Sequence, residues 1–271
     1  MIDLEKIASN VPTDDDTYIN PENGLLYCIH CHTARQCRIE VFDKVRVVPC
    51  VCRCMKEAEE NKAKEAARLK EVDKLRKAGF TDILLKNQTF AADDKKNPEL
   101  TKAMQNYVSN FTQLSKEGKG LLLYGPKGTG KTFFAACICN ALIEEQKPCL
   151  MTQFSRLVNT ISAKWEGKQE YIDSLTQFDI VAIDDLGAER NTDFMSENVF
   201  SIIDTLYRAK VPMIITSNLA LAQMVEETDI KQARVYDRIL ERCLPVEFKG
   251  ESRRLDKARR DYKQMKNILG L

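Results

Sequence analysis

Gly125-Pro-Lys-Gly-Thr-Gly-Lys-Thr132 fits the pattern G-x-x-x-x-G-K-[ST], and the rest of the fold can be read outward from what that octet requires. Glycines at 125, 128 and 130 let the backbone curl until its N–H groups converge on phosphate oxygens. A helix opening at Lys131 adds the positive end of its dipole. Within Gly125, Pro126, Lys127, Gly128, Thr129, Gly130, Lys131 and Thr132, the lysine is expected to bridge β- and γ-phosphates and the Thr132 hydroxyl to ligate Mg²⁺. Such a loop needs a buried strand before it and a helix after it. Gly120–Tyr124 supplies the apolar run, and Lys131–Glu145 the helical pattern.

The same alternation continues down the chain. Apolar runs at Cys149–Phe154, Asp179–Ile183, Pro212–Thr216 and Pro245–Phe248 are separated by helix-length stretches at Ser155–Trp165, Ser196–Ala209 and Lys231–Glu241. Strands alternating with helices predict an α/β domain built on a parallel sheet.

Other residues fall where phosphate chemistry needs them. The run Phe178-Asp-Ile-Val-Ala-Ile-Asp-Asp185 ends in two carboxylates. Asp184 is the expected Mg²⁺ partner, and Asp185 the group that orients or deprotonates an attacking water. The fourth run ends in Thr216-Ser217-Asn218, which offers Asn218 to a γ-phosphate or to that water. Arg234 and Arg238 share one face of a predicted helix, and Gly250-Glu-Ser-Arg-Arg254 offers a second arginine site.

Cysteine is the abnormal count. Of ten, six (Cys28, Cys31, Cys37, Cys50, Cys52, Cys54) fall between positions 28 and 54. In a reducing compartment such a cluster points to metal thiolates. Structural Zn²⁺ takes four ligands from two tight turns. Cys28 and Cys31 form one pair, and the other comes from Cys50, Cys52 and Cys54. His30 and His32 flank Cys31 and are expected to point away, and Cys37 to be a spare. With little apolar sequence nearby, the metal supplies most of this segment's folding energy.

Between the cysteines and the α/β domain, Lys56–Ala78 is rich in Lys, Glu, Arg and Ala, with no Gly before Gly79. It predicts a solvated helix capped by that glycine. The whole chain of 271 residues carries 41 Lys+Arg against 40 Asp+Glu. That near-neutrality hides an uneven spread. Residues 1–27 hold six acids and one base, and residues 231–271 hold twelve bases and six acids. The basic end, Leu255–Leu271, predicts a helix able to track phosphates. No apolar stretch approaches a membrane span, so no membrane partner is expected, and a cytoplasmic location is.

In order and spacing, GPKGTGKT, IDDLGAE, TSN, RVYDR and GESRR resemble the AAA+ ATPases of the DnaC/DnaI helicase-loader group, whose branch includes the transposition ATPase IstB. That resemblance implies an AAA+ P-loop NTPase core with sheet order 5-1-4-3-2. It implies ATP-Mg²⁺ between self-associating subunits, with Asn218 as sensor 1, Arg238 as an arginine acting in trans and Arg254 as sensor 2. It also implies a protein that loads a hexameric replicative DNA helicase onto single-stranded DNA, with ATP as a switch and hydrolysis slow and stimulated by partners. A C-x-C before a charged helix, as in similar loaders, favours Cys52 and Cys54 as the second zinc pair, with Cys50 as the alternative. The expected organisation is an acidic arm and zinc-binding module over 1–54, a charged helical linker over 55–79 and the ATPase domain over 80–271. The alternatives are an IstB-like transposition helper and a zinc-dependent adaptor that uses ATP structurally.

Overall fold

The computed structural model describes residues 16–164, 166–187 and 193–270, so most of the acidic arm and the end of IDDLGAE lie outside the described residues. The chain divides into two compact units, Met1–Lys70 and Glu71–Leu271.

In the first unit β1 (Thr17–Ile19) pairs antiparallel with β2 (Leu26–Cys28), and β3 (Gln36–Val41) with β4 (Lys44–Pro49). Phe42 and Asp43 turn the second hairpin with φ of 50° and 55°. Two consecutive positive φ values are what a two-residue hairpin needs to match strand twist. Helix α1 (Arg53–Gly79) follows.

The division between the units falls inside α1, between Lys70 and Glu71. The last turns of α1 are not a solvated linker. Val72 is buried with Phe80, Tyr107 and Phe134, and Arg76 donates from Nε to Asn140 Oδ1 at 3.2 Å and pairs with Glu144. Nor is Gly79 a left-handed cap. It ends the helix buried, where a Cβ would stand 2.1 Å from the Cys149 carbonyl oxygen, so close backbone approach is what the glycine permits.

The second unit continues through α2 (Pro98–Ser109), α3 (Phe111–Lys116), β5 (Gly120–Tyr124), α4 (Lys131–Glu144), β6 (Cys149–Gln153), α5 (Phe154–Ala163) and α6 (Lys168–Ser174). It ends with β7 (Ile180–Leu186), α7 (Asp193–Arg208), β8 (Met213–Ser217), α8 (Leu221–Val225), α9 (Ile230–Arg242), β9 (Cys243–Glu247) and α10 (Arg253–Leu269). The sheet order is β6-β7-β8-β5-β9, all parallel. Counted from β5 as the first strand and read from the β9 edge, it is 5-1-4-3-2.

The central strands are nearly continuous apolar runs because helices cover both faces. One core layer gathers Phe154, Leu157, Ile183, Ile203 and Ile215, and the other Leu123, Phe134, Ile138, Leu142 and Ile214. Pro245 is tolerated because β9 is an edge strand. The opposite edge is partly covered, since Phe80 bridges Met151 and Thr81 N–H donates to the Met151 carbonyl.

One irregularity decides the site. Ile183 pairs with Ile215, but the next partners are Leu186 and Ser217. Asp184 and Asp185 therefore stand opposite a single residue, Thr216, as in a β-bulge, and Asp185 has φ 62°.

Candidate nucleotide site

β5 hands the chain to the loop of residues 125–130, and α4 takes it up at Lys131. Gly125, Gly128 and Gly130 all have positive φ, at 132°, 83° and 106°, so the curl inferred from the sequence is present. Thr129 braces the loop from inside, its Oγ1 donating to the Pro126 carbonyl at 2.9 Å. Lys131 Nζ donates to the Gly125 and Pro126 carbonyls, both at 2.7 Å, and to Asn218 Oδ1 at 3.0 Å. Burial holds the Lys131 ammonium below its ordinary pKa, against the opposing pull of the Asp185 and Asp184 carboxylates.

The strand ends meet the loop as β8 lies between β5 and β7. Asp184 Oδ1 accepts from Thr132 Oγ1 at 2.8 Å and from Thr216 Oγ1 at 2.6 Å. Burial raises the Asp184 carboxyl above its usual range, and those two hydroxyl donors oppose the shift. Thr216 has a second task, for its Oγ1 accepts the Asp185 N–H at 3.0 Å. That bond holds Asp185 in its left-handed conformation, and Asn218 Nδ2 reaches Asp185 Oδ1 at 3.4 Å. Asp adopts positive φ more readily than longer or branched residues, which gives a backbone reason for the shorter carboxylate here.

A cavity of about 700 Å³ opens over these groups, lined by Lys127, Lys131, Thr132, Asp185, Asn218 and Arg254 among others. It is the right size for a nucleotide. Thr132 and Asp184 are a hard-oxygen pair suited to Mg²⁺ beside phosphates. Bound there, Mg²⁺ would neutralise charge developing on a transferred phosphoryl group.

Arg254 lines the cavity, and Arg238 does not. Arg238 is held on α9 against α7: its Nε donates to Asp204 Oδ1 at 2.7 Å, and its guanidinium lies over the Phe200 ring, 4.6 Å from the centroid. Arg234, on the same face, is exposed and lies 4.9 Å from the same centroid.

Several residues escaped sequence reasoning. Thr216 carried a faint signal, as a hydroxyl at the end of an otherwise apolar run. Arg253 lines the cavity beside Arg254 and pairs with Asp94 at 3.2 Å. Ser252 caps α10 and packs on the loop, so that a Cβ on Gly128 would fall 2.1 Å from its Oγ. Arg253 N–H donates to the Gly128 carbonyl at 2.9 Å.

In the first unit the sulfurs of Cys28, Cys31, Cys52 and Cys54 all lie within 4.8 Å of one another. Cys54 Sγ is 3.5 Å from that of Cys28 and 3.3 Å from that of Cys52. A tetrahedron with Zn–S near 2.3 Å has edges of about 3.8 Å, so the donor set fits a structural Zn²⁺. Cys50 is outside it, its Sγ donating to the Ala34 carbonyl at 3.3 Å. His30 and His32 turn to Asp16 and Tyr18. The Thr33 hydroxyl brings the Cys31 thiol down to about 5, whereas hydrogen bonds to Cys52, Cys28 and Cys31 push Cys54 up to about 12. Metal binding must displace that retained proton.

Residues 55–261 match the family described as IstB-like ATP binding protein. The chain belongs to that family. Among curated relatives it is 28% identical over 200 residues to the replicative helicase loader DnaI of Bacillus subtilis, an alignment covering 68% of this chain and 64% of DnaI. It is 27% identical over 166 residues to the replicative helicase loader DnaC of Escherichia coli, covering 58% of this chain and 66% of DnaC. The chain thus spans just under two thirds of the length of either relative. The crystal structure of DnaI superposes with a TM-score of 0.54 at 23% identity, over 63% of this chain and 96% of that one. That of the DnaC helicase loader gives 0.51 at 24%, over 62% and 100%. The α/β unit therefore has the DnaC/DnaI-like AAA+ fold. No described helix is long and apolar enough to cross a membrane.

Proposed function

We propose that the protein is a Mg²⁺-dependent ATPase that loads a hexameric replicative DNA helicase onto single-stranded DNA. The observation that carries the reading is the convergence of Lys131, Thr132, Asp184, Thr216, Asp185 and Asn218 at one end of the sheet, in a chain aligned along its ATPase region with two helicase loaders. Lys131 holds the β- and γ-phosphates. Asp185, aimed by the Thr216 hydroxyl, orients the attacking water, and Asn218 reports on the γ-phosphate. Arg254 meets the nucleotide from its own subunit. Arg238 serves a neighbour's nucleotide, and must first leave Asp204. Hydrolysis is slow because the carboxylate at 185 is one methylene short of a glutamate, and ATP acts as a switch. The four-cysteine module, loaded with Zn²⁺, contacts the helicase, all in the cytoplasm.

The test uses the full chain. Phosphate release is followed with and without single-stranded DNA, for the native protein and for Lys131→Ala. Loss of a buried charged partner should weaken nucleotide binding by roughly 2–5 kcal/mol. Unchanged ATP affinity in Lys131→Ala would remove the phosphate-site assignment. Failure of the tagged full chain to retain a purified hexameric helicase in the presence of ATP would remove the loader reading, leaving the ATPase standing.

A further inference from the structure

The C-terminal helix α10 carries a feature that the nucleotide site does not use. Leu255, Ala258, Tyr262, Met265 and Leu269 recur at intervals of three and four residues, the a and d positions of a heptad seam. Four of them are well exposed, with Leu255 at 59%, Tyr262 at 66%, Met265 at 55% and Leu269 at 61%, and Ile268 beside them at 75%. Only the start of the helix is fastened, by the Ser252 cap, the Arg253–Asp94 pair and a 3.1 Å bond from Lys96 to Asp256. Beyond Ala258 every described side chain is exposed. A helix of about a dozen residues without packing is marginal in water, and this one has its packing surface already laid out.

We propose that α10 is a docking helix for a partner protein, and that the occupant is an amphipathic helix with an apolar seam and acidic flanks. The charges beside the seam select it. Arg259 and Lys266 occupy the e positions, and Arg254, Asp261 and Ile268 the g positions. A second copy of α10 lying antiparallel would set Arg259 and Lys266 against each other. Lying parallel, it would set Arg254 against the other copy's Arg259, and only Asp261 would meet an opposite charge, Lys266. A membrane surface asks for a broad apolar face. Here the stripe is the narrow a/d kind, with Arg259 and Lys266 directly at its side. Nucleic acid would take the basic groups and leave the apolar seam in water. Acidic residues on a partner, set opposite Arg259 and Lys266, satisfy both at once. The inference stands independently of the loader reading.

The test pairs the full chain with two fluorescein-labelled synthetic four-heptad peptides, each with Leu at a and d. One carries Glu and the other Lys at every e and g position. Fluorescence anisotropy should show binding of the acidic peptide that weakens as salt rises, and none of the basic one. The double variant Tyr262→Asp, Met265→Asp should lower acidic-peptide affinity on the order of 100-fold while keeping its ATP affinity. Failure of the acidic peptide to bind, or equal affinity in the double variant, would overturn the proposal. So would two other outcomes: sedimentation showing a dimer that the double variant abolishes, which makes a second copy the occupant, or an oligothymidine whose binding depends on Tyr262 and Met265.

Discussion

In the α/β unit Leu122, Leu123, Phe134, Ile138, Leu142, Ile183 and Ile214 are wholly out of water, whereas among the described residues of the first unit the buried apolar side chains are Leu25, Leu26, Cys28 and Cys52. Phe42 stands 95% exposed at the tip of its hairpin. One unit has a layered core of the kind that folds a chain unaided. The other has two short hairpins, each too small to persist alone, and four sulfurs drawn together. The difference teaches that a single polypeptide can rely on two unrelated sources of stability. A perturbation aimed at one should leave the other intact.

The largest expected effect is therefore on the cysteine module. Chelating the metal, or replacing Cys54 by Ser, should remove a contribution on the order of 10 kcal/mol. Amide hydrogen exchange over residues 17–49 should lose its protection, while β5 and β8 keep theirs. Protection that survives chelation would mean the hairpins are held by something else. Next comes Phe134→Ala, which opens a cavity beneath α4 and should cost the α/β unit about 3–5 kcal/mol. Its melting should fall with the zinc content unchanged, and a parallel loss of zinc would show the two sources to be linked.

A smaller effect, of opposite sign, is expected from Asp184→Asn. The folded carboxyl has a raised pKa, so its stabilising contribution is full at acid pH and is lost as pH rises through that value. The amide carries no such penalty. The nucleotide-free variant should match the native protein near pH 4 and melt about 2–4 °C higher near neutrality. A gap that closes toward neutral pH would refute the assignment. Smallest of all is Cys50→Ser, expected to leave one zinc per chain by atomic absorption. A halved content would place Cys50 among the ligands.

How much of this could be read beforehand depended on the range of the interaction. The phosphate loop is local, since one octet holds the glycines, the lysine and the hydroxyl, and the apolar runs around it marked the five strands of its sheet. The bulge was not legible. Period-two alternation sends neighbouring side chains to opposite faces, and only the hydroxyl of Thr216, from a different strand, holds the Asp185 N–H and spoils the alternation. Spacing placed Cys28 with Cys31, but it could not choose among Cys50, Cys52 and Cys54. In the structure the Cys50 N–H donates to the Arg35 carbonyl and its Sγ turns to the Ala34 carbonyl, which leaves Cys50 outside the group formed by the other four sulfurs. The last turns of α1 were misread because Val72 and Leu75 are sparse on a charged helix, and Arg76 packs through its guanidinium.

The contact between Ser252 and Gly128 makes α10 a lever with its fulcrum on the phosphate loop. Seventeen residues at 1.5 Å each give an arm of about 25 Å, so a tilt of about 10° at the cap would carry Leu269 sideways by about 4 Å. A displacement at the loop too small to disturb the sheet is thereby magnified at the far end, where it is comparable to the width of a side chain.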